Sequence, residues 1–229
     1  MARLIGGPFG LVSGKVGDVV YRNRGGNTIV SVLPKQRTSP RSEYEIALQT
    51  KFALAGKIAR GINSIAILKY FWKPTAYNGR SSCNIIFKNN YALIDVKDLS
   101  GAILVAPLFG FNLLNPSITP GKQNILIECQ SMTGNPSFDL KVEKFVCTAG
   151  VIVLKNPSDE MLPIHDVIPF KSKKQIFYPD KQLLVDLEIS GGQLALYQSY
   201  SIKKVFAVFV TIDEDESPVH HSVTFSNKE

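Results

Sequence analysis

Three cysteines, three histidines and one tryptophan are all that the sequence offers for redox, metal and strong stacking chemistry, and no stretch nears the roughly 18 apolar residues of a membrane-spanning helix. Cys83, Cys129 and Cys147 lie far apart and leave one thiol over whichever pair is bridged. That excludes a disulfide framework and a C-x-x-C zinc or redox site, so buried free thiols packing as small hydrophobes are expected. His165, His220 and His221 lack the spacing of a zinc-protease helix, and in an extended strand the adjacent pair points to opposite faces. No G-x-S-x-G elbow is present, and no local motif pairs a serine or cysteine with a histidine. A phosphate loop ending in Gly14-Lys15 would need glycine where Phe9 stands and a hydroxyl where Val16 stands. The run Asp213-Glu214-Asp215-Glu216 lacks the glycine and distant glutamate of a calcium loop and reads as a solvated hairpin tip. No catalytic residue, metal ligand or cofactor site is therefore nominated, and a non-enzymatic protein is expected. Residues 1–17 carry one arginine and no apolar run as long as a signal-peptide core, which makes the cytoplasm the default compartment.

Acidic residues are also scarce at one end. Residues 1–90 hold 14 Lys and Arg against Asp18, Glu43 and Glu45, a net of +11, while the remainder holds 12 against 16, a net of −4. A basic front on a mildly acidic body favours a polyanionic or acidic partner, or else a solvated face.

What is present is patterned. Val19 and Tyr21, then Thr28, Val30 and Val32, alternate with Arg22, Arg24, Ile29 and Ser31 around Gly25-Gly26-Asn27, which predicts a β-hairpin with those residues at its tip. Ser39 as cap, Pro40 at the first position and Glu43 and Glu45 against the positive dipole end predict a helix. Its expected apolar stripe is Tyr44, Leu48, Phe52, Ala55 and Ile58, with Gly61 as the stop. Asn63 and Ser64 restart a second helix ending at Trp72 before Pro74, and Thr75 caps a third reaching Asn90. The mixture of Tyr70, Phe71, Trp72 and Tyr77 with Lys69, Lys73, Arg80 and Lys88 suits either a core seal or a single-strand nucleic-acid platform. From Tyr91 the pattern turns strand-like, with runs at 93–96, 103–111, 124–131, 138–147, 150–155, 164–168, 183–189, 193–200, 205–213 and 222–225. The expected fold class is α+β: a basic hairpin and helical module over 1–90, then an antiparallel β-sandwich of immunoglobulin-like type over 91–229.

From Gly14 to Ala55 the residues GKVGDVVYRNRGGNTIVSVLPKQRTSPRSEYEIALQTKFALA resemble a family of uncharacterised proteins from Bacteroidota, and the tail FAVFVTIDEDESPVHHSVTF resembles that family's closing hairpin. The G-K-V-G-x-V-V opening, the P-R-[ST] helix start and the F-A-L-A helix carry the likeness. In the same bacterial group a soluble plug closes the periplasmic mouth of the type IX secretion translocon, a very large outer-membrane barrel. The resemblance implies that role, a periplasmic location and a large outer-membrane protein, or another assembly component, as partner. The alternative is a nucleic-acid-binding or phage-associated structural protein using the basic front. In either case the expected contact residues are Arg22, Arg24, Lys35, Arg37 and Arg41, which flank the hairpin and the helix start.

Overall fold

A computed structural model describes residues 3–5, 11–24, 27–33, 35, 39–75, 80–95, 102–132 and 138–227. The chain divides into two compact units, Met1–Glu43 and Tyr44–Glu229.

The first unit is an antiparallel meander of β1 (Arg3–Ile5), β2 (Leu11–Val16), β3 (Val19–Arg24) and β4 (Asn27–Val32), in that order across the sheet. Gly17, at φ +56°, sits with Asp18 between Val16 and Val19, a conformation that glycine adopts without a side-chain clash. The expected hairpin is present as β3 and β4, with Arg24 paired to Asn27, so Asn27 belongs to the ladder.

The second unit is built in layers. Helix α1 (Glu43–Ser64), helix α2 (Ala66–Trp72) and helix α3 (Ser82–Tyr91) form one of them. Strands β5 (Ser117–Pro120) and β6 (Asn124–Cys129) belong to a small sheet. β7 (Phe145–Pro157), β8 (His165–Lys171) and β9 (Gln175–Ile176) belong to a large one. β10 (Leu183–Glu188) returns to the small sheet, giving the order β10-β6-β5. After helix α4 (Gly191–Gln198), β11 (Tyr200–Ile212), β12 (Pro218–His221) and β13 (Phe225–Ser226) complete the large sheet. Its order is β12-β11-β7-β8, with β13 on β11 and β9 on β7, and every pairing within the three sheets is antiparallel. The architecture is α+β.

β7 and β11 explain the layering. Side chains alternate across a strand, and here both faces are buried. Val151, Val153, Phe206, Val208 and Val210 meet Leu54, Ile58, Ile62, Leu68, Trp72 and Ile86 of the helices. Their neighbours Ile152, Leu154, Val205, Ala207 and Phe209 meet Ile125, Ile127 and Val185 of the small sheet. The helices therefore share one core with the large sheet. The sequence reading placed a module boundary at 90/91, whereas the compact units part after Glu43, because apolar helix faces require the sheet as their partner.

Several elements differ from expectation for identifiable reasons. α1 begins at Glu43, where Ser42 and Glu45 have capping-box spacing, three residues past Pro40. Its buried residues are Leu54, Ala55, Ile58, Ala59, Gly61 and Ile62, whereas Tyr44, Leu48 and Phe52 are exposed. Gly61 is no stop: a Cβ there would come within 3.2 Å of Val167 Cγ1, so the missing side chain lets the helix approach the sheet. Lys57 ties the same helix to β8 through the His165 carbonyl and Asp166 Oδ1, at 2.8 and 3.1 Å. Ser81, not Thr75, caps α3 by accepting from Asn84 N–H, while the Thr75 hydroxyl donates to Trp72 O. Residues 93–95 close α3 instead of forming a strand, and 103–110 are irregular, with bends at 105, 106 and 108 and Phe109 at φ +79°. Residues 138–144 are largely turn, and β7 starts only at Phe145. The expected strand at 193–200 is α4, since Gln, Leu and Ala are strong helix formers and Tyr197 packs inward.

Candidate docking surface

The register of the N-terminal sheet sorts its residues onto two faces. Val16, Val19 and Val32 form one row and Gly14, Tyr21 and Val30 another on the same face. Lys15, Val20 and Ser31, with the pairs Arg22–Ile29 and Arg24–Asn27, occupy the opposite face. One face is thus valine-rich and the other basic. An antiparallel sheet normally covers its apolar face with a core. Here Val16, Val30 and Val32 are 55%, 58% and 74% exposed, and all of β4 is exposed. A small sheet with an exposed apolar face has little stability of its own.

Of the expected contact residues, Arg22 is exposed on β3, and Arg24 closes the hairpin on the same face of the ladder. Lys35 and Arg41 are exposed in the segment between β4 and α1, outside the sheet. Arg37 lies outside the described residues. The sheet therefore gathers Arg22 and Arg24 with Lys15, which the sequence reading did not nominate. β1 and β2, to which no expected strand corresponds, had a signal in Val16-Gly17-Asp18-Val19, a glycine turn flanked by valines. Within the second unit Tyr44, Ile46 and Leu48 at the start of α1 are exposed, whereas Phe52 is met edge-on by Phe87, with ring centres 4.9 Å apart.

Elsewhere the candidate constellations fold into structural roles. Trp72 is buried and its indole N–H donates to Val105 O at 2.9 Å, and Phe71 packs edge-on against His221 at 4.6 Å. Tyr70 is exposed, while Tyr77 lies outside the described residues. Asp213 to Glu216 is a hairpin tip as expected: Asp213 accepts from Ser217 N–H, and Glu216 pairs with Lys174. Burial pushes the Cys147 thiol up to about 11, against a smaller opposing pull from Lys171, and burial also raises Cys129, so neither is poised as a nucleophile. Cys83 is half-buried. Among the described residues no three His, Cys, Asp or Glu side chains are grouped for a metal ion, and no helix is long and apolar enough to cross a membrane.

Contrary to simple strand alternation, His220 and His221 border one cavity of about 200 Å³, with Phe71, Phe109, Phe111, Phe138 and Val219. The β11–β12 register shifts between Val210 and Ile212, which breaks the regular alternation. His220 Nδ1 lies 3.3 Å from the carboxyl of buried Glu143. Burial holds the His221 imidazole below its ordinary value; the hydrogen bond with Ser222 O opposes this and the neighbouring His220 adds to it. Below about pH 6.5 an unfolded chain therefore takes up a proton at His221 that the folded chain resists. This contribution to stability is complete above that pH and is lost as pH falls through the folded-state value. Urea midpoints measured from pH 7.5 to 5 are expected to fall less steeply in His221→Asn than in the parent. Parallel curves would assign the acid sensitivity to other groups.

Comparison of the chain with protein-family models, with curated proteins and with solved structures gives no match.

Proposed function

We propose that this chain is a non-enzymatic binding protein that docks in, or closes, a large protein channel through its N-terminal sheet. The observation that carries the reading is the sheet itself, with exposed valines on one face and basic residues on the other. The resemblance of residues 14–55 to the Bacteroidota family adds the more specific form, the periplasmic plug of the type IX secretion translocon. In that form the two packed sheets of Tyr44–Glu229 act as an immunoglobulin-like sandwich, stiffened on one face by helices. The partner is then an outer-membrane protein much larger than this chain.

Purification of the tagged chain from its host in mild detergent tests this, with partners identified by mass. Arg22→Glu combined with Arg24→Glu is expected to weaken capture at least tenfold, about 1.4 kcal/mol, because like charges juxtaposed at an interface repel. The thermal midpoint should stay within about 1 °C, since surface substitutions are usually near neutral. A folded double variant that keeps its partner would refute the assignment of the contact to this sheet.

The charge distribution favours one second reading, nucleic-acid or phage-associated binding. Residues 1–43 alone hold seven Lys and Arg against Asp18 and Glu43. Phosphate binding weakens steeply as salt rises. A DNA and RNA shift titration without retardation at low salt eliminates it.

A further inference from the structure

Among the described residues the N-terminal sheet has two edges, and they are not alike. β1 is only three residues long, a length that blunts an edge. β4, at the other edge, reads NTIVSV over six residues, with no charge and no proline. Its length, its lack of charge and proline and its regular register leave it without four of the common protections against pairing with another chain.

The ladder fixes which backbone groups of β4 face outward. Leu33 N–H donates to Asp18 O at 2.7 Å, so Leu33 turns toward β3. At a period of two, Ser31, Ile29 and Asn27 do the same, opposite Val20, Arg22 and Arg24. The N–H and C=O groups of Thr28, Val30 and Val32 therefore point away from β3. These three residues also lie on the valine face, while the face behind them carries Lys15 and Arg22.

Resting on the docking reading above, we infer that β4 accepts a strand of the partner protein as a fifth strand of this sheet, and that the incoming strand alternates apolar residues with carboxylates. Strand addition supplies main-chain hydrogen bonds to the outward groups, and alternate side chains supply the choice of partner. Apolar residues continue the valine face across the new strand. Carboxylates fall on the other face, where the added strand lies about 10 Å from β3, two strand spacings, a gap that an arginine and a glutamate together span. Charge complementarity selects this occupant over a second copy, which would bring another unit with seven Lys and Arg against two acidic residues.

Backbone amide exchange of the full-length chain, followed by NMR with two nine-residue peptides, tests the inference. One peptide alternates valine with glutamate, the other valine with lysine. The glutamate peptide is expected to slow exchange at Thr28, Val30 and Val32 at least tenfold and to leave Ile29 and Ser31, already bonded to β3, unchanged. Arg22→Glu should reverse the preference between the peptides. Val30→Pro removes only an outward N–H, so it should keep the melt and abolish the protection. The inference is overturned if the parent shows no protection, if both peptides protect equally, or if Val30→Pro still binds. Concentration-dependent protection without peptide would mean that a second copy takes the edge, which also overturns it. Should the peptides fail while the Arg22/Arg24 reversal still releases the captured partner, the docking reading stands and strand addition alone is wrong. Should the glutamate peptide bind while capture ignores the reversal, the docking reading is the one that fails.

Discussion

A fragment beginning at Tyr91 is expected to be unfolded or aggregated, whereas one beginning at Arg41 should melt cooperatively close to the intact chain. Cutting at Tyr91 removes Leu54, Ile58, Ile62, Leu68, Trp72 and Ile86 and lays open the sheet face of Val151, Val153, Phe206, Val208 and Val210. Each buried side chain of this size stabilises by about 1.5–3 kcal/mol. Losing six exceeds much of the roughly 5–15 kcal/mol that holds a domain together. The Arg41 fragment keeps both faces covered and loses only the N-terminal sheet. Circular dichroism and a thermal melt of the two fragments distinguish the cases. A cooperative, near-parental melt from the Tyr91 fragment would show that the β layers stand without the helices.

Gly150→Ala should be strongly destabilising for so small a substitution. Gly150 pairs with Ala207 on one side and Phe170 on the other. A Cβ there would lie 2.0 Å from Phe206 O, 2.9 Å from Phe170 Cζ and 3.0 Å from Ala207 Cα. Two of those atoms are backbone, so no rotamer change relieves the overlap and the two central strands must separate locally. Overpacking and ladder distortion together should cost at least about 3 kcal/mol. At about 2–4 °C per kcal/mol for a chain of this size, the melting midpoint drops by roughly 6–12 °C. Gly192→Ala is the control, since a Cβ there meets nothing within 4 Å. In a helix that exchange should be neutral or stabilising by up to about 1 kcal/mol. Equal effects at the two positions would contradict the packing argument.

The hairpin of β3 and β4 was legible because its alternation and glycine tip are local signals. So were α2, the acidic tip at Asp213 to Glu216 and the long apolar strands. The N-terminal half of α1 misled for a physical reason: Tyr44, Leu48 and Phe52 continue the helical period of Ala55 and Ile58, but periodicity does not say how far along a helix the core extends. Gly61 misled likewise, since a glycine marks either a helix end or a close approach, and only the position of Val167 decides between them. The boundary at Tyr91 followed a change of local pattern, and layers joined by non-local packing leave no mark at the point where the pattern changes. Of the candidate contact residues, Arg22 and Arg24 share the basic face with Lys15, a grouping that needs the three-strand register and not the hairpin alone.

The pairing of β7 with β11 has a consequence for the order of events in time. Tyr200 meets Pro157 at one end and Ile212 meets Phe145 at the other, so the central ladder joins segments far apart in sequence. Closing such loops is slow compared with forming local hairpins or helices. During synthesis the helices of the second unit emerge before β5 and β6, and the β7–β8 hairpin follows, all with their shared core incomplete. Until Ile212 is delivered, the run FVCTAGVIVLKN, with its lysine only near the end, has β8 on one edge and lacks β11 on the other, which leaves a strand edge of high aggregation tendency. Yield should therefore depend on how quickly the last third of the chain follows the first two, and on whatever holdase shields β7 in the interval.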